Sequence, residues 1–244
     1  MKKLKPLVIL LGLGAIFSFE SLVFAQVNYD SIGNVTFTPY TGITPPVDPE
    51  NPDEVVDPFP NPEPGTNGPL SIDFASSFNF GTHEISNLNQ TYYAIPQLIK
   101  IEDLSVIDGY RFENRAKYIQ VSDNRGTNAG WTLQVRQNGQ FQNSSTQHDI
   151  LHGAQITISD VNAISSANTL APTTHEIILD PFGSLSNVMS AKNGEGAMTW
   201  VARFGAVTDE LNKEVALFVP GSTPKDAVTY QTTLTWVLTD VPGL

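Results

Sequence analysis

From Gly68 onward the chain alternates apolar and polar residues in many short runs. Leu70, Ile72 and Phe74 share one face, and Tyr118 to Val121 alternates with polar neighbours. Trp131, Leu133 and Val135 stand against Thr132, Gln134 and Arg136. Ile156 with Ile158, then Ile177 with Leu179, keep the same period. So do Met198, Trp200, Ala202 and Phe204, followed by Val215, Leu217 and Val219. In the last run Tyr230, Thr232, Leu234, Trp236 and Leu238 oppose Gln231, Thr233, Thr235, Val237 and Thr239. Successive strand side chains point to opposite faces, so each run predicts a half-buried strand. Asn67-Gly68, Asp108-Gly109, Asn138-Gly139 and Asn193-Gly194 supply the turns between them. The expected fold is all-β, an antiparallel β-sandwich or irregular barrel of about ten strands over residues 70–244. Glu102-Ile107 and Leu185-Ala191 are expected as two short helices, although neither carries a sustained apolar stripe.

The pattern differs before residue 70. Met1-Lys2-Lys3-Leu4-Lys5 is basic, Leu7 to Phe19 is apolar, and Val23-Phe24-Ala25 is small or aliphatic at its ends. Residues 1–25 therefore read as a secretory signal peptide cleaved after Ala25. No later run reaches the roughly 18 apolar residues of a spanning helix, so the exported chain is expected not to cross a membrane. Residues 26–40 form a short segment in which Asn34-Val35-Thr36-Phe37-Thr38 predicts one strand. Residues 41–69 are a linker: between Pro45 and Pro64, eight of 20 residues are proline, interleaved with Asp48, Glu50, Asp53, Glu54, Asp57 and Glu63. Proline fixes φ and like charges repel, so a disordered, solvated spacer of roughly 60 Å at most is expected.

Composition narrows the partners. The chain has 244 residues, 25 acidic against 13 basic, for a net charge of -12. Nucleic-acid binders need a basic footprint, so nucleic acid is not an expected partner. Cleavage removes Lys2, Lys3, Lys5 and Glu20, leaving 10 basic and 24 acidic residues. Zero cysteines exclude disulfides, thiolate metal sites, a cysteine nucleophile and a lipidated cysteine. With no Leu-Pro-x-Thr-Gly signal and no hydrophobic tail at its C-terminus, an exported chain is expected either to diffuse away or to be retained by binding.

Candidate chemistry is sparse. His148-Asp149-Ile150-Leu151-His152 would place two imidazoles on one face of a helix, a metal pair, but it follows a polar loop and reads better as two solvated histidines. His83 and His175 stand alone. Gly183-Ser184-Leu185-Ser186 lacks the closing glycine of a nucleophile elbow. Glu102-Asp103 and Asp209-Glu210 are neighbours in expected turns. No enzyme, metal or cofactor is expected.

Two amphipathic strands carry the same tripeptide, Trp131-Thr132-Leu133 and Trp236-Val237-Leu238. Their surroundings repeat a wider pattern: Leu70-Ser71-Ile72-Asp73-Phe74 after the linker, Val121-Ser122-Asp123-Asn124-Arg125-Gly126 before the first motif, and Tyr230 to Pro242 around the second. Together with the leader and the proline linker, the chain resembles the WxL-domain surface proteins of Gram-positive bacteria. That resemblance implies a secreted protein held non-covalently at the cell wall, with peptidoglycan as receptor. It also implies co-assembly with sibling wall-associated or membrane-anchored surface proteins. An adhesion or scaffold subunit contacting a sibling or a host matrix protein is the alternative.

The residues carrying the binding are less defined. Trp131 and Trp236 each share a face with leucines, as core residues do. Burying about 200 Å² of indole at about 25 cal/mol per Å² contributes roughly 5 kcal/mol. The competing reading makes the motif residues Trp131, Thr132, Leu133, Trp236, Val237 and Leu238 a carbohydrate-facing platform. An acidic domain gains nothing from long-range attraction to an anionic wall, so contacts are expected from exposed aromatics, with Tyr92, Tyr93, Tyr110 and Phe141 as candidates.

Overall fold

The computed structural model describes residues 26–208 and 210–243. The signal peptide expected over residues 1–25 lies outside the described residues. The chain divides into two units, Met1–Thr36 and Phe37–Leu244. Residues 26–36 are exposed and hold no helix or strand. The strand expected over residues 34–38 does not form: Val35 and Phe37 are 76 % and 87 % exposed, so their alternation has no core to face.

The second unit is all-β among its described residues. Its first strands are β1 (Asp57–Phe59), β2 (Leu70–Ala75), β3 (Gln90–Ala94), β4 (Gln97–Glu102) and β5 (Tyr110–Arg115). Then come β6 (Tyr118–Asp123), β7 (Trp131–Gln137), β8 (Gln155–Ile158), β9 (Val161–Ile164) and β10 (Thr173–Thr174). The last are β11 (Ile177–Ile178), β12 (Ser186–Ala191), β13 (Met198–Phe204), β14 (Asn212–Val219) and β15 (Leu234–Thr239). They form four small antiparallel sheets, ordered β1-β4-β5, β10-β12-β7-β15, β11-β8-β14-β3 and β2-β6-β13-β9. The all-β antiparallel expectation is met, and the described strands, fifteen rather than about ten, are short and gathered in sheets of three or four. Neither expected helix exists. Residues 103–108 turn from β4 to β5, where the Asp103 carboxylate accepts the Ser105 N–H at 2.9 Å and competes with helical bonding. Residues 186–191 are β12, whose Val188, Met189 and Ala191 are fully buried.

The three four-stranded sheets share one core. Ile119, Trp131, Leu133, Ile156, Met189 and Phe204 are among its largest enclosed side chains. The β6 strand explains how a second, smaller core arises. All six of its residues are buried, so both of its faces are covered. Ile119 and Val121 face the main core, while Tyr118 packs with Val47, Phe74 and Val201 on the other side.

Val47 comes from the segment expected to be a free spacer. Residues 46–56 instead fold back as a strap, with Val56 N–H bonded to Pro46 O at 3.0 Å and Asp48 N–H to Glu54 O at 2.9 Å. The Gln120 amide, fully buried, accepts the Val47 N–H at 2.7 Å and donates to Pro45 O and to Asp73, both at 3.0 Å. Arg115 grips the Asp48 carboxylate with Nε and Nη2, each at 2.8 Å. A buried carboxylate and a buried amide are tolerated because each of their polar atoms finds a partner. The strap then delivers β1 onto β4, pairing Asp57 with Lys100 and Phe59 with Leu98. Proline and acidic content therefore misled the linker expectation over 45–59, where Val47, Val56 and Asp48 are buried.

Candidate functional site

The two tripeptides lie on neighbouring strands. In the β7/β15 register Trp236 opposes Val135, Val237 opposes Gln134 and Leu238 opposes Leu133. Residues directly opposed share a face, so both tryptophans and both leucines point to the core side. Trp131 is fully enclosed and its Nε1–H donates to Gly196 O at 2.9 Å. Gly196 has φ +69°, and a Cβ there would lie 2.7 Å from Trp131 Nε1, so the indole is seated against a position only glycine fills. Trp236 is half-buried and stacks on Phe204, with centroids 6.4 Å apart and planes 14° apart. Thr132 points outward and donates to Val241 O at 2.8 Å, tying down the C-terminal segment. Val237 and Leu238 are half-buried. The third tryptophan, Trp200, is buried and donates to Ala197 O at 2.9 Å. The motif residues are thus seam residues of a sheet, and the enclosed Trp131 offers no face to a ligand.

Of the expected exposed aromatics, one stands open. Phe141 is buried against Phe80, centroids 6.3 Å apart, which removes it as a contact residue. Tyr92 packs on the main core and stacks on His83 at 4.0 Å, and Tyr93 is half-buried beside it. Tyr110 is exposed and belongs to a cluster. The registers of β1, β4 and β5 put Phe59, Leu98, Lys100, Tyr110 and Phe112 on one sheet face. Phe59 and Phe112 are each 45 % exposed with centroids 5.0 Å apart. Tyr110 meets Phe112 edge-on at 5.7 Å, and Lys100 Nζ sits 4.0 Å over the Tyr110 ring. A cavity of about 350 Å³ opens beside the cluster, lined among others by Asp57, Phe59, Asn61 and Lys100. Rings flanked by a carboxylate, an amide and an ammonium make a surface that can stack on a sugar face and bond its polar groups. The sequence reading missed Phe112, although it stands two residues from Tyr110 in an alternating run.

A family model described as WxL domain, surface cell wall-binding, matches residues 25–242. The chain belongs to the WxL family. No curated protein and no solved structure matches it. The WxL match spans the strap as well as the motif strands, in keeping with a strap that is part of the folded unit. The family's name marks cell-surface, wall-binding proteins, and no helix among the described residues of this WxL chain is long and apolar enough to cross a membrane.

The remaining polar positions of the WxL unit serve its loops. His148 Nδ1 lies 2.9 Å from Asp226 Oδ1, and the His148 N–H donates to Asp226 Oδ2 at 2.9 Å. Those bonds, with one from Thr146, hold the Asp226 carboxyl well below the usual range. His152 instead lines a second groove of about 750 Å³ with Gln155 and the exposed Phe182, so the two histidines serve different places. That groove is mostly apolar and Asp180 on its rim is committed to its own turn through Phe182 N–H and Ser184. His175 lies 3.4 Å from Ser190 Oγ.

Proposed function

We propose that this protein is a secreted binding module that docks non-covalently on peptidoglycan and carries out no chemistry. The observation that carries the reading is the cluster of Phe59, Tyr110 and Phe112 on one open sheet face beside the cavity lined by Asp57, Asn61 and Lys100. The wall-binding description of the family supports the receptor class. Stacking against sugar rings needs no net charge, which suits a chain with net charge -12 facing an anionic wall. Membership of a complex with sibling surface proteins is part of the proposal, as is the alternative of a host matrix ligand. The β4–β5 tip supports a protein contact, since Leu104 and Ile107 are fully open to solvent.

The test is co-sedimentation of the purified chain with isolated Gram-positive walls. Wild type pellets with the walls, whereas Phe59→Ala and Phe112→Ala stay in solution with unchanged thermal unfolding. A chain that remains soluble, or variants that pellet like wild type, overturn the reading. Release of soluble muropeptides would overturn the non-enzymatic part.

A further inference from the structure

Among the described residues the β5 strand has a neighbour on one side only. Its free edge carries no proline and its pairing to β4 runs without a bulge from Gln97↔Arg115 to Glu102↔Tyr110. Antiparallel pairs alternate between those that exchange backbone bonds and those that do not. The hairpin turn fixes that alternation, because Asp103 N–H donates to Gly109 O at 2.9 Å. It follows that Arg111 and Glu113 direct their backbone groups to β4, while Tyr110, Phe112 and Asn114 direct theirs outward. In agreement, Asn114 O is reached from outside the ladder by Arg115 Nη1 at 3.1 Å. An edge whose outward groups belong to Tyr110, Phe112 and Asn114 is a template for another strand.

Charge selects the strand. An antiparallel copy of β5 can satisfy the outward groups only in registers that oppose residues 110, 112 and 114 among themselves. Opposing Tyr110 to Phe112 puts Arg111 against Arg111. Opposing Phe112 to Asn114 puts Glu113 against Glu113 and Arg111 against Arg115. The register between them sets Phe112 on Phe112, Tyr110 on Asn114 and Arg111 on Glu113, the last two repeated by symmetry. Like charges directly opposed are destabilising and opposite ones favourable, so one register stands out. Glu113 already serves as an acceptor for Arg111 and, at 2.6 Å, for Arg115, which puts its carboxylate in reach of guanidinium partners on that face.

We propose that a second copy of this chain pairs antiparallel along β5, joining two three-stranded sheets into one of six strands about a two-fold axis. The aromatic face then becomes continuous across the axis through the paired Phe112 rings. Closed, self-complementary contacts of this kind are the common form of homodimer. Pairing holds two binding faces together, and avidity follows without any new contact to the ligand. The inference does not depend on what that face binds.

The test is analytical ultracentrifugation of the purified chain over a concentration series, with cysteine cross-linking to read the register. A monomer–dimer equilibrium in the micromolar range is expected. Asn114→Pro, which removes an outward N–H away from the aromatic cluster, weakens it by roughly tenfold or more. Arg111→Glu weakens it and Arg111→Glu with Glu113→Arg restores it. The protein has no cysteine, so Phe112→Cys forms a disulfide-linked dimer on oxidation, because Cα atoms about 5.5 Å apart suit the bond. Tyr110→Cys and Asn114→Cys do so only when mixed. A chain that stays monomeric at all concentrations, including one that captures only extended segments of other proteins, overturns the proposal. So does a dimer indifferent to Asn114→Pro, or cross-linking of Tyr110→Cys to itself.

Discussion

Leu133 and Leu238, the closing residues of the two Trp-x-Leu tripeptides, lie directly opposite each other across the β7/β15 ladder. The repeated motif is therefore one cross-strand structure. In its first half Trp131 and Leu133 are fully enclosed, and its second half lies on the sheet's edge strand, half open to solvent. Leu133→Ala is expected to cost about 2–5 kcal/mol, as core leucine truncations do, and Leu238→Ala less. Because the side chains meet, the double variant should depart from additivity by about 0.5–1 kcal/mol. Urea unfolding of the four proteins measures this, and strict additivity would show that the two leucines do not touch energetically.

The seat of Trp131 gives a sharper expectation. Gly196→Ala asks for φ +69° with a side chain and drives a methyl to 2.7 Å from the indole nitrogen. The backbone alone costs about 1–2 kcal/mol, and displacing the ring also strains the 2.9 Å bond from Nε1 to Gly196 O. A lowered melting temperature and a shifted tryptophan emission should accompany the substitution. Loss of wall binding in Trp131→Ala is then a folding effect, since such truncations cost about 3–5 kcal/mol. Phe112→Ala separates the two roles by leaving the melting temperature in place.

The strap should be releasable without unfolding the domain. Asp48 is buried on Arg115, and removing one partner of such a pair costs about 3–5 kcal/mol. Asp48→Ala is expected to expose residues 45–59 to limited proteolysis while the sheets stay protected. Acid should act in the same direction. Burial by itself would raise the Asp48 carboxyl, but Arg115 and the Glu50 and Asn51 N–H groups outweigh it and hold the group below its ordinary value. Its stabilising contribution is present above that ordinary value and is lost as pH falls through the lower, folded one. Asp73, raised by burial against the bonds from Ser122, Ser71 and Gln120, works the opposite way and favours the fold in acid. Cleavage within 45–59 that rises equally in wild type and Asp48→Ala on acidification would show that Asp48 is not the sensitive group.

The strands were legible because period-two alternation is written locally, as in Trp131 to Arg136 and Leu234 to Thr239. Their assembly was not, because pairing is long-range: β7 lies between β12 and β15, which are far from it in the chain. The β6 strand concealed its second buried face, since Gln120 and Ser122 read as solvent-facing until the strap meets Gln120 and Asp73 of β2 meets Ser122. Phe59 reaches the aromatic face only through β1, a pairing that a proline-rich stretch does not advertise. Of the exposed aromatic face, Tyr110 was thus recoverable and Phe59 hidden, while Phe141 was wrongly expected to be exposed, its polar loop neighbours concealing its burial.

Salt offers a test of how the aromatic face works. Phe59, Tyr110 and Phe112 are neutral and the charged groups beside them, Asp57 and Lys100, are of opposite sign. With the Debye length about 10 Å at 0.1 M, added salt screens the repulsion between an acidic chain and an anionic wall. Wall binding should hold or rise from low to moderate ionic strength, read by co-sedimentation. A steep loss with salt would place the contact on ion pairs instead.

Lys117, just before β6, is 5 % exposed with its backbone fixed by Asn212 and Phe204. Burial disfavours the ammonium and lowers its pKa to about 8, against 10.5 when solvated. Between those values the unfolded chain keeps the proton and the folded chain does not, so stability rises with pH across that window. At 1.36 kcal/mol per unit the full rise is about 3 kcal/mol. Below about pH 8 the folded domain carries the cost of a buried charge. Lys117→Met removes that cost, so it should raise the urea midpoint at pH 7 and flatten the rise between pH 8 and 10. Wild-type stability that is level over that range would mean the ammonium reaches water, and Lys117→Met would then bring no gain.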